Sequence, residues 1–592
     1  MKGNGRTRFR GLARAIVILV TLAGPGLVQA PAQAHDPVEL AGALVPPVGF
    51  GVSTFAQLPP GDLATSLTFG PGGKLFVTSV QGVAAGDGPQ ALSNGAVYSF
   101  DVVDGVVAGG APIPVADGFG QVIGMVFGPD GTMYVSDNDT TAYKGSILAL
   151  RDADGDGTYE TRATILKDIP NGRHQTNGMV FGPDGMLYVA TGSATDDGTE
   201  CGPEPASPLA CPTQEVQPWT GSILRVNPAW RDVDLLKDVT VDANGYDDPG
   251  VLDDDEVLAA RGFRNIYDVD TQPGDPCSLY TPMNGSDNPA SNEPLYRTNI
   301  CDQHVVGTDP QGNPIYGPVI DDAGFPSCLY GQHVNAWPQP SGGHEHPEIY
   351  DPDDNLNEAT IAKFGHCPAA PPRTPIDHIL RPVKFLSAHS GTSGLAFERG
   401  DDFPERYDGD LFVAEWGSIW NTNAVPPEPS GHKIQQVHFN EDGTVAWTRA
   451  FMTGGAPIDV VFGPDGAMYV ADFHGSVYRV TFVQDTPDTY TVEIIDGQFV
   501  PQVITIPRDV KVLWVNEDTV PHNVTAERAV VVTTEGSVIL PGDEINSNGD
   551  IPPRKSHSAD FEDESGTWVY TSTSSATDTS MQGSVIVAPA DR

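Results

Sequence analysis

The chain has 592 residues, of which 32 are Lys or Arg and 78 are Asp or Glu, so its formal net charge is −46. Its 39% of hydrophobic residues can build a large core, and its 66 Gly and 53 Pro predict many tight turns. Because phosphate binding needs a cationic surface, the acidity argues against a nucleic-acid partner and against adsorption to anionic lipid.

Residues 1–34 are predicted to be a secretory signal. A cationic start precedes an apolar stretch from Ala15 to Ala23, and Ala32-Gln33-Ala34 supplies the small residues that a cleavage site needs. No later run approaches the roughly 20 apolar residues that span a bilayer. The mature protein is therefore predicted to be secreted or extracytoplasmic, without a membrane span.

A repeated phrase organises the chain as far as residue 485. Its clear copies are FGPGGKLFV from Phe69, FGPDGTMYV from Phe127, FGPDGMLYV from Phe181 and FGPDGAMYV from Phe462, with a degenerate copy from Leu395. Each copy is predicted to form a strand, a tight turn and a second strand. Hairpins that recur every 40–60 residues or so are typical of propeller blades. With a weaker blade at residues 261–270, the pattern predicts a six-bladed β-propeller over residues 35–485.

An acidic loop lies between the second and third copies of the phrase. Asp152, Asp154 and Asp156 follow the D-x-D-x-D-G opening of a calcium loop, in which alternate carboxylates converge while Gly allows a sharp bend. Ala163 stands where an EF-hand has its bidentate Glu. We therefore predict a structural calcium site in a loop between strands, with a solvated acidic turn as the alternative.

All six cysteines fall within residues 201–367. An even number in an exported chain predicts disulfides, and sequential pairing closes the shortest loops. The predicted pairs are Cys201–Cys211, Cys277–Cys301 and Cys328–Cys367. The segment around 271–385 is rich in Pro, Asp and Asn, and it is predicted to be a disulfide-pinned insertion over one face of the propeller. An unrelated inserted subdomain is the alternative.

The pattern changes at residue 488. Residues 488–592 contain short alternating strands, such as TYTVEII from Thr489 and VKVLWVN from Val510, and they predict a small β-sandwich. No segment of the mature chain has a sustained helical period. The fold class is therefore predicted to be all-β, a six-bladed propeller followed by a sandwich.

Five phrases in residues 50–482 resemble the glucose/sorbosone dehydrogenase family, six-bladed quinoproteins that use pyrroloquinoline quinone (PQQ) with calcium. The phrases are HQTNGMVFGPDGMLYVATGS from His174, ARGFRNIYDVD from Ala260, AHSGTSGLAFERGDDFPERYDGDLFVAEWGS from Ala388, GHKIQQV from Gly431 and GGAPIDVVFGPDGAMYVADFHGSVYRV from Gly454. The resemblance implies an enzyme that oxidises an aldose or a related alcohol with PQQ and calcium.

The resemblance also implies roles for individual residues. His174 takes the place of the general base, Arg264, Asn265 and Lys433 take the places of quinone contacts, and His389 is a further cofactor-binding candidate. PQQ carries three carboxylates that cations can hold, and a neutral imidazole can take the hydroxyl proton while hydride leaves the sugar. Calcium would polarise the quinone carbonyl that accepts the hydride.

The chain departs from that family at two positions. Ile266 follows the Arg-Asn pair where family members often have Pro, and Ala456 stands where they often have Arg. A second interpretation is therefore a non-catalytic extracellular propeller that binds carbohydrate or protein, in which His174 caps a loop and Arg264 pairs with an acid. A hydrolase acting through calcium is a third interpretation, without a motif of its own.

Residues 415–417 end an inner-type strand and are candidate ligand contacts or simply turn residues.

The sandwich region resembles the cupredoxins, the plastocyanin-like blue-copper proteins. The phrases that carry this are VPHNVT at Val520–Thr525 and the ending GTWVY to MQGSVIV. A blue-copper site needs two His, a Cys thiolate and usually a weak Met. His522 and Met581 match one His and the Met, whereas Ser572 and Ser575 fall on the positions of the Cys and the second His. Because Ser cannot replace those ligands, we expect a copper-free accessory module in which His522 is a partly exposed loop residue.

Overall fold

The computed structural model describes most of the chain between residues 44 and 588. The described segments are 44–82, 92–100, 102–103, 106–107, 112–172, 174–193, 219–240, 252–285, 292–308, 314–318, 321–323, 328–329, 332–333, 378–380, 382–388, 390–400, 402–417, 431–440, 442–483, 489–495, 497–508, 510–533, 536–540, 545–561, 565–573 and 581–588. They are nearly all strand; their one α-helix is the four-residue Asp254–Val257, and short 3-10 turns occur at Pro71–Gly73 and Glu405–Tyr407. The predicted signal, residues 1–34, lies outside these segments.

Six sheets follow one another along the chain as far as Phe482, and we number them blade 1 to blade 6. The strands of blade 1 are Asp62–Phe69, Leu75–Gly82, Leu92–Phe100 and Ile113–Phe119. Those of blade 2 are Gln121–Phe127, Met133–Asp139, Lys144–Arg151 and Thr161–Pro170. Those of blade 3 are Thr176–Phe181, Leu187–Thr191, Ile223–Val226 and Leu258–Arg261.

Blades 4 to 6 repeat this antiparallel order. Blade 4 has a divided first strand, and its strands are Asn265–Ile266 with Asp270–Gln272, then Asp275–Asn284, Asn292–Asn299 and Lys384–Ala388. Those of blade 5 are Thr392–Phe397, Leu411–Glu415, Lys433–Phe439 and Val445–Thr453. Those of blade 6 are Pro457–Phe462, Met468–Asp472, Ser476–Phe482 and Phe50–Gln57.

Further short strands lie between and beside the blades. Val233–Asp234 pairs with the fourth strand of blade 2, and Asp321–Asp322 and His378–Ile379 extend blade 3. The remaining short pairs are Val102–Val103 with Val106–Val107, Val239–Thr240 with Leu252–Asp253, Gln303–Thr308 with Pro314–Pro318, and Cys328–Leu329 with Gln332–His333.

The blades form a closed ring. Their first strands lie side by side, and the first strand of blade 1 contacts those of both blade 2 and blade 6. Blade 6 takes its fourth strand, Phe50–Gln57, from the N-terminal end of the described chain, and this strand pairs antiparallel with Ser476–Phe482. Phe50 is fully buried, with ring centroids of Phe403 and Phe451 at 4.8 and 5.1 Å. The structure therefore confirms the all-β, six-bladed prediction.

The repeated phrase forms the turn between the first and second strands of its blade. In blade 3 the turn ends in Gly185, whose φ of 76° favours Gly. The Asp184 carboxylate accepts hydrogen bonds from the Tyr188 hydroxyl (3.1 Å) and from Arg225 Nε (2.9 Å), on the second and third strands. The equivalent residues of blade 6 are Asp465, Tyr469 and Arg479. In blades 3 and 6 the phrase thus fixes one edge of the blade. We call the edge at which the first and second strands of each blade join the turn edge.

Part of the segment predicted to be an insertion belongs to blade 4. Residues 275–299 contribute its second and third strands, and residues 384–388 its fourth. The disulfide Cys277–Cys301 joins the second strand to the second residue after the end of the third strand, so this predicted pair is confirmed. Each of the other two predicted pairs includes a residue outside the described part of the chain.

The C-terminal region is a sandwich of two sheets. One sheet contains Thr489–Ile495, Gln498–Val500, Val510–Asn516 and Ser556–Phe561. The other contains Val503–Ile506, Thr525–Thr533, Gly536–Leu540, Gly566–Thr571 and Gln582–Val587. Trp514, Trp568 and Tyr570 are buried between the sheets.

The second sheet of the sandwich continues into blade 6. Val503 and Ile504 pair antiparallel with Val52 and Gly51 of the closing strand. A Cβ on Gly51 would lie 2.4 Å from Pro501 Cγ, so only Gly fits this approach. One nine-stranded sheet therefore joins the propeller to the sandwich. No helix in the described part of the chain meets the length and hydropathy that a membrane crossing requires.

Candidate functional site

The residues predicted to act in catalysis lie at the edge of the ring opposite the turn edge. First strands begin there and second strands end there, because each hairpin reverses at the turn edge. His174 precedes the first strand of blade 3, Arg264 and Asn265 open blade 4, and Lys433 begins the third strand of blade 5. We call this rim the site edge.

His174 is held in a fixed orientation. It is 8% exposed, and its Nδ1 lies 3.0 Å from the Ser193 carbonyl oxygen and 3.2 Å from Ser193 Oγ. A backbone carbonyl can only accept, so Nδ1 carries the proton and Nε2 is the basic nitrogen of the neutral ring. A Cβ on Gly192 would lie 2.2 Å from His174 Cβ and 2.8 Å from Asn265 Oδ1. Gly192 therefore allows His174 and Asn265 to approach each other.

Hydrogen bonds join blades 3 and 4 beside the imidazole. The Ser193 N–H donates to the Arg264 carbonyl. Asn177 Nδ2 donates to Asn265 Oδ1 at 3.2 Å and to the Ile266 carbonyl at 2.7 Å. Arg264 is 3% exposed. The predicted base and two of the predicted cofactor contacts are therefore parts of one hydrogen-bonded unit.

Lys433 lies in blade 5 opposite a buried acid. Its Nζ is 2.6 Å from Ser387 Oγ and 3.3 Å from Glu415 Oε2, and Glu415 is its direct partner on the second strand. Glu415 is fully buried, and Lys433 together with the side chain and backbone of Ser387 supports its charge. Burial raises the pKa of the Glu415 carboxyl, and the charge of Lys433 opposes that rise.

A second buried acid connects Lys433 to the rest of the site. Glu293, in the third strand of blade 4, is 3% exposed and accepts a hydrogen bond from the Gly285 N–H at 2.6 Å. Burial raises the pKa of Glu293 to about 8; the Gly285 N–H and the charge of Arg264 oppose the rise, and Glu415 adds to it. Arg264, Glu293, Glu415 and Lys433 thus form one electrostatic group, which we call the charge cluster.

The structure thus brings most of the predicted site residues together. His174 is linked to Arg264 through Ser193, and Asn265 follows Arg264 in the chain. Lys433 pairs with Glu415, and the charges of both Glu415 and Arg264 act on Glu293. His389 lies outside the described residues. The sequence pattern missed Glu293, because a single acid in a polar strand carries no motif.

The acidic loop lies at the turn edge. Asp152, Asp154 and Asp156 follow the third strand of blade 2, and their ligand oxygens lie within 4.8 Å of one another. The N–H groups of Gly155 and Gly157 donate to Asp152 at 2.7 and 2.8 Å, which holds the loop in its tight bend. Three converging carboxylates supply the oxygen ligands that a calcium ion prefers, and this site stays a prediction. It lies on the opposite edge from His174.

The predicted degenerate copper site is buried. His522 is fully buried, with Nε2 2.7 Å from Asp518 Oδ2, which corrects the expectation of a partly exposed loop residue. Ser572, 1% exposed, donates its N–H to the Met581 carbonyl at 3.1 Å and accepts from Asn523 N–H at 3.3 Å. Ser575 lies outside the described residues. One imidazole, one thioether and a serine do not fit the donor set of a blue-copper site, so the copper-free assignment stays a prediction.

Comparison with known proteins gives matches of limited extent to sequences. A family model described as "Domain of unknown function (DUF7133)" matches residues 341–489. An uncharacterized protein of Borreliella burgdorferi is 32% identical over 108 residues, which are 16% of this chain and 27% of that protein. The chain therefore spans well under two thirds of the curated relative that it matches.

Several solved structures share the course of the chain. The holo PQQ domain of pyranose dehydrogenase from Coprinopsis cinerea has 16% identity and a TM-score of 0.48, and the match covers 74% of this chain and 97% of that chain. The PQQ-bound aldose sugar dehydrogenase of Streptomyces coelicolor has 16% identity and a TM-score of 0.42, with coverages of 74% and 99%. The apo form of the soluble aldose sugar dehydrogenase of Escherichia coli has 16% identity and a TM-score of 0.42, and the match covers 73% of this chain and 99% of that chain. At such identities and TM-scores the likeness assigns no activity to this chain.

Proposed function

We propose that this protein is an exported PQQ- and calcium-dependent dehydrogenase that oxidises an aldose or a related alcohol at the site edge. The observation that carries the proposal is the linked set of His174, Asn265 and Arg264, to which the charge cluster joins Lys433. An imidazole base, an amide and two cations are the donors that an anionic quinone and a sugar hydroxyl require.

The donor set fits PQQ on electrostatic grounds. Arg264 and Lys433 would hold its carboxylates, and Asn265 would contact the quinone. Glu293 opposes them only when ionised, and with a pKa of about 8 its carboxyl is mostly neutral at neutral pH. Bound there, PQQ would supply a carbonyl that accepts hydride, polarised by calcium.

The chain's own residues then perform the proton chemistry. His174 takes the hydroxyl proton of the sugar at Nε2, because Nδ1 is engaged with the Ser193 carbonyl. That same contact fixes the tautomer and stabilises the imidazolium that forms. Because Gly192 has no side chain, the imidazole lies beside Asn265, which keeps the base close to the residue that would contact the cofactor.

The test is reconstitution of the purified full chain with PQQ and calcium, followed by dye reduction with a panel of aldoses. We expect saturable turnover, and we expect His174→Ala to lower kcat/KM by about 10²–10⁴-fold. His438→Ala is the matched control, since His438 lies at the turn-edge end of the third strand of blade 5. Turnover that survives His174→Ala would remove the base assignment, and an inactive wild type with bound PQQ would remove the enzymatic proposal.

A non-catalytic binding propeller is the second candidate. Two carboxyl groups in the charge cluster oppose its two cations, and Ala456, 4% exposed, supplies no charge near the last blade. This candidate predicts binding to a carbohydrate array without any dye reduction. PQQ-dependent turnover with an aldose would exclude it.

The proposed export is supported by the disulfide. Cys277–Cys301 would persist in an oxidising compartment and would be rare in a reducing one. Expression with the complete N-terminal segment should release protein into the periplasm or medium with a new N-terminus at His35. Retention in the cytoplasm with residues 1–34 still attached would contradict this part of the proposal.

A further inference from the structure

We propose that the charge cluster makes anion binding at the site edge proton-coupled: a polycarboxylate that pairs with Lys433 is bound together with a proton that Glu415 takes up. This inference rests on the proposed function, because it concerns how the same site accepts an anionic cofactor. It adds to that function a residue that controls the pH range in which the cofactor binds.

The geometry of Lys433 gives the first reason. The ammonium group has three N–H donors, one directed to Ser387 Oγ at 2.6 Å and one side facing Glu415 Oε2 at 3.3 Å. A ligand carboxylate that binds the remaining side therefore lies close to the Glu415 carboxylate, with one positive charge between two negative ones. Like charges so close favour protonation of one of them.

The surroundings of Glu415 give the second reason. It is fully buried, and its charge is supported first by Lys433 and then by hydrogen bonds from the side chain and backbone of Ser387. When a ligand carboxylate shares the Lys433 ammonium, the buried Glu415 carboxylate keeps only the Ser387 donors, so its ionised form is less well supported than before. The proton is the smallest available counter-charge.

The neighbouring groups favour the same outcome. The two members of the charge cluster on blade 4 are Glu293 and Arg264. Burial raises the pKa of Glu293 to about 8, and the charge of Glu415 contributes to that rise. On the blade 6 side, Asp472 Oδ1 is bound to His474 Nδ1 at 3.0 Å, so this pair is satisfied internally. His432 Nδ1 is bound to the Gly455 carbonyl at 2.7 Å. Among the described residues, Lys433 is the only cation within ion-pair distance of Glu415.

The experiment is calorimetric titration of the full chain in two buffers of different ionisation enthalpy. Citrate, a tricarboxylate without a quinone, is one probe, and PQQ with calcium is the other. The dependence of the observed heat on the buffer gives the number of protons taken up. We expect an uptake of about one proton per ligand for the wild type and about none for Glu415→Gln. As the pH rises, the affinity of the wild type should fall by up to about tenfold per pH unit, whereas that of Glu415→Gln should not change with pH.

Two further variants keep the test decisive. Asp472→Asn removes another buried carboxylate of the site edge and should leave the proton uptake in place. If Glu415→Gln fails to fold, Ser387→Ala gives the second measurement: loss of the Ser387 hydroxyl, whose hydrogen bond lowers the pKa of Glu415, should move the pH range of proton uptake upward. An unchanged pH range in Ser387→Ala would overturn the inference.

The outcomes separate this inference from the proposed function. PQQ binding without proton exchange, with turnover intact, overturns the inference and leaves the dehydrogenase. Citrate binding with proton uptake that Glu415→Gln abolishes, in a protein that never reduces dye, supports the inference and removes the dehydrogenase. Binding of neither probe overturns both.

Discussion

We expect Asp459 to make the stability of the protein depend on pH between about pH 5.5 and about pH 8.5. It lies in the first strand of blade 6, and its carboxylate accepts hydrogen bonds from the N–H of Leu67 in blade 1 (2.9 Å) and of Val460 (2.8 Å). A Cβ on Gly394 would lie 1.8 Å from Asp459 Oδ1, so the carboxyl is packed closely against the backbone of blade 5. Burial raises the pKa of Asp459 to about 7, and burial with the nearby Asp459 charge raises the pKa of Asp268 well above its usual range.

The sign of the effect follows from the raised pKa. In the unfolded chain Asp459 titrates near pH 3.8, so between that value and about 7 the folded state holds a proton that the unfolded state has lost. Its contribution to the free energy of unfolding is complete below the unfolded value and is lost as pH rises through 7. Between about pH 5.5 and about pH 8.5 the loss amounts to about 2 kcal/mol.

Urea unfolding of the wild type and of Asp459→Asn at those two pH values measures this loss. The variant is less stable at both pH values, because the two N–H groups bind different carboxylate oxygens and Asn replaces one of these with an NH2 donor. Its free energy of unfolding should nevertheless change by about 2 kcal/mol less than that of the wild type. Asp408→Asn, at an exposed position of blade 5, is the control and should keep the wild-type dependence. Equal pH dependence in the wild type and Asp459→Asn would refute the reasoning.

Three further predictions concern the turns and joints of the fold. Replacing Cys277 and Cys301 by Ser opens a loop with a sequence separation of 24 and should cost about 3 kcal/mol of stability; a melting temperature that a reductant leaves unchanged would contradict this. Gly51→Ala places a Cβ 2.4 Å from the Pro501 ring and should cost about 1–3 kcal/mol, seen as a lower melting temperature than that of the wild type. Calcium should raise the melting temperature of the wild type and raise it less in Asp154→Asn; equal shifts would remove the predicted loop site.

The repeat made much of the propeller predictable. The FGPDG phrase forms a tight turn in which Asp184 binds Tyr188 and Arg225. Because such a turn depends on residues that are close in sequence, it can be predicted from the sequence. Blade 4 lacks the phrase, and its strands Asp275–Asn284 and Asn292–Asn299 are rich in Pro, Asn and Asp. Composition therefore suggested an insertion where packing makes a blade.

The junction with the sandwich could not be predicted. Val52 pairs with Val503 across the whole propeller sequence, and no local pattern specifies such a contact. His522 was misjudged for a related reason: a loop motif does not show that Asp518 and the sandwich core enclose the ring.

The candidate site divides in the same way. His174, Arg264, Asn265 and Lys433 were predicted because they stand in phrases that resemble those of a known family. Glu293 has no such phrase, and its raised pKa arises from burial that only the folded blades create. The charge balance of the site was therefore beyond the reach of sequence alone.

The most direct measurement of the central claim is a crystal structure of the protein grown with PQQ and calcium. We expect the cofactor at the site edge, with a carboxylate on Lys433 or Arg264 and its ring within contact of Asn265 and His174. Clear density for PQQ at any other place, or a site edge that stays empty at saturating PQQ, would contradict the account.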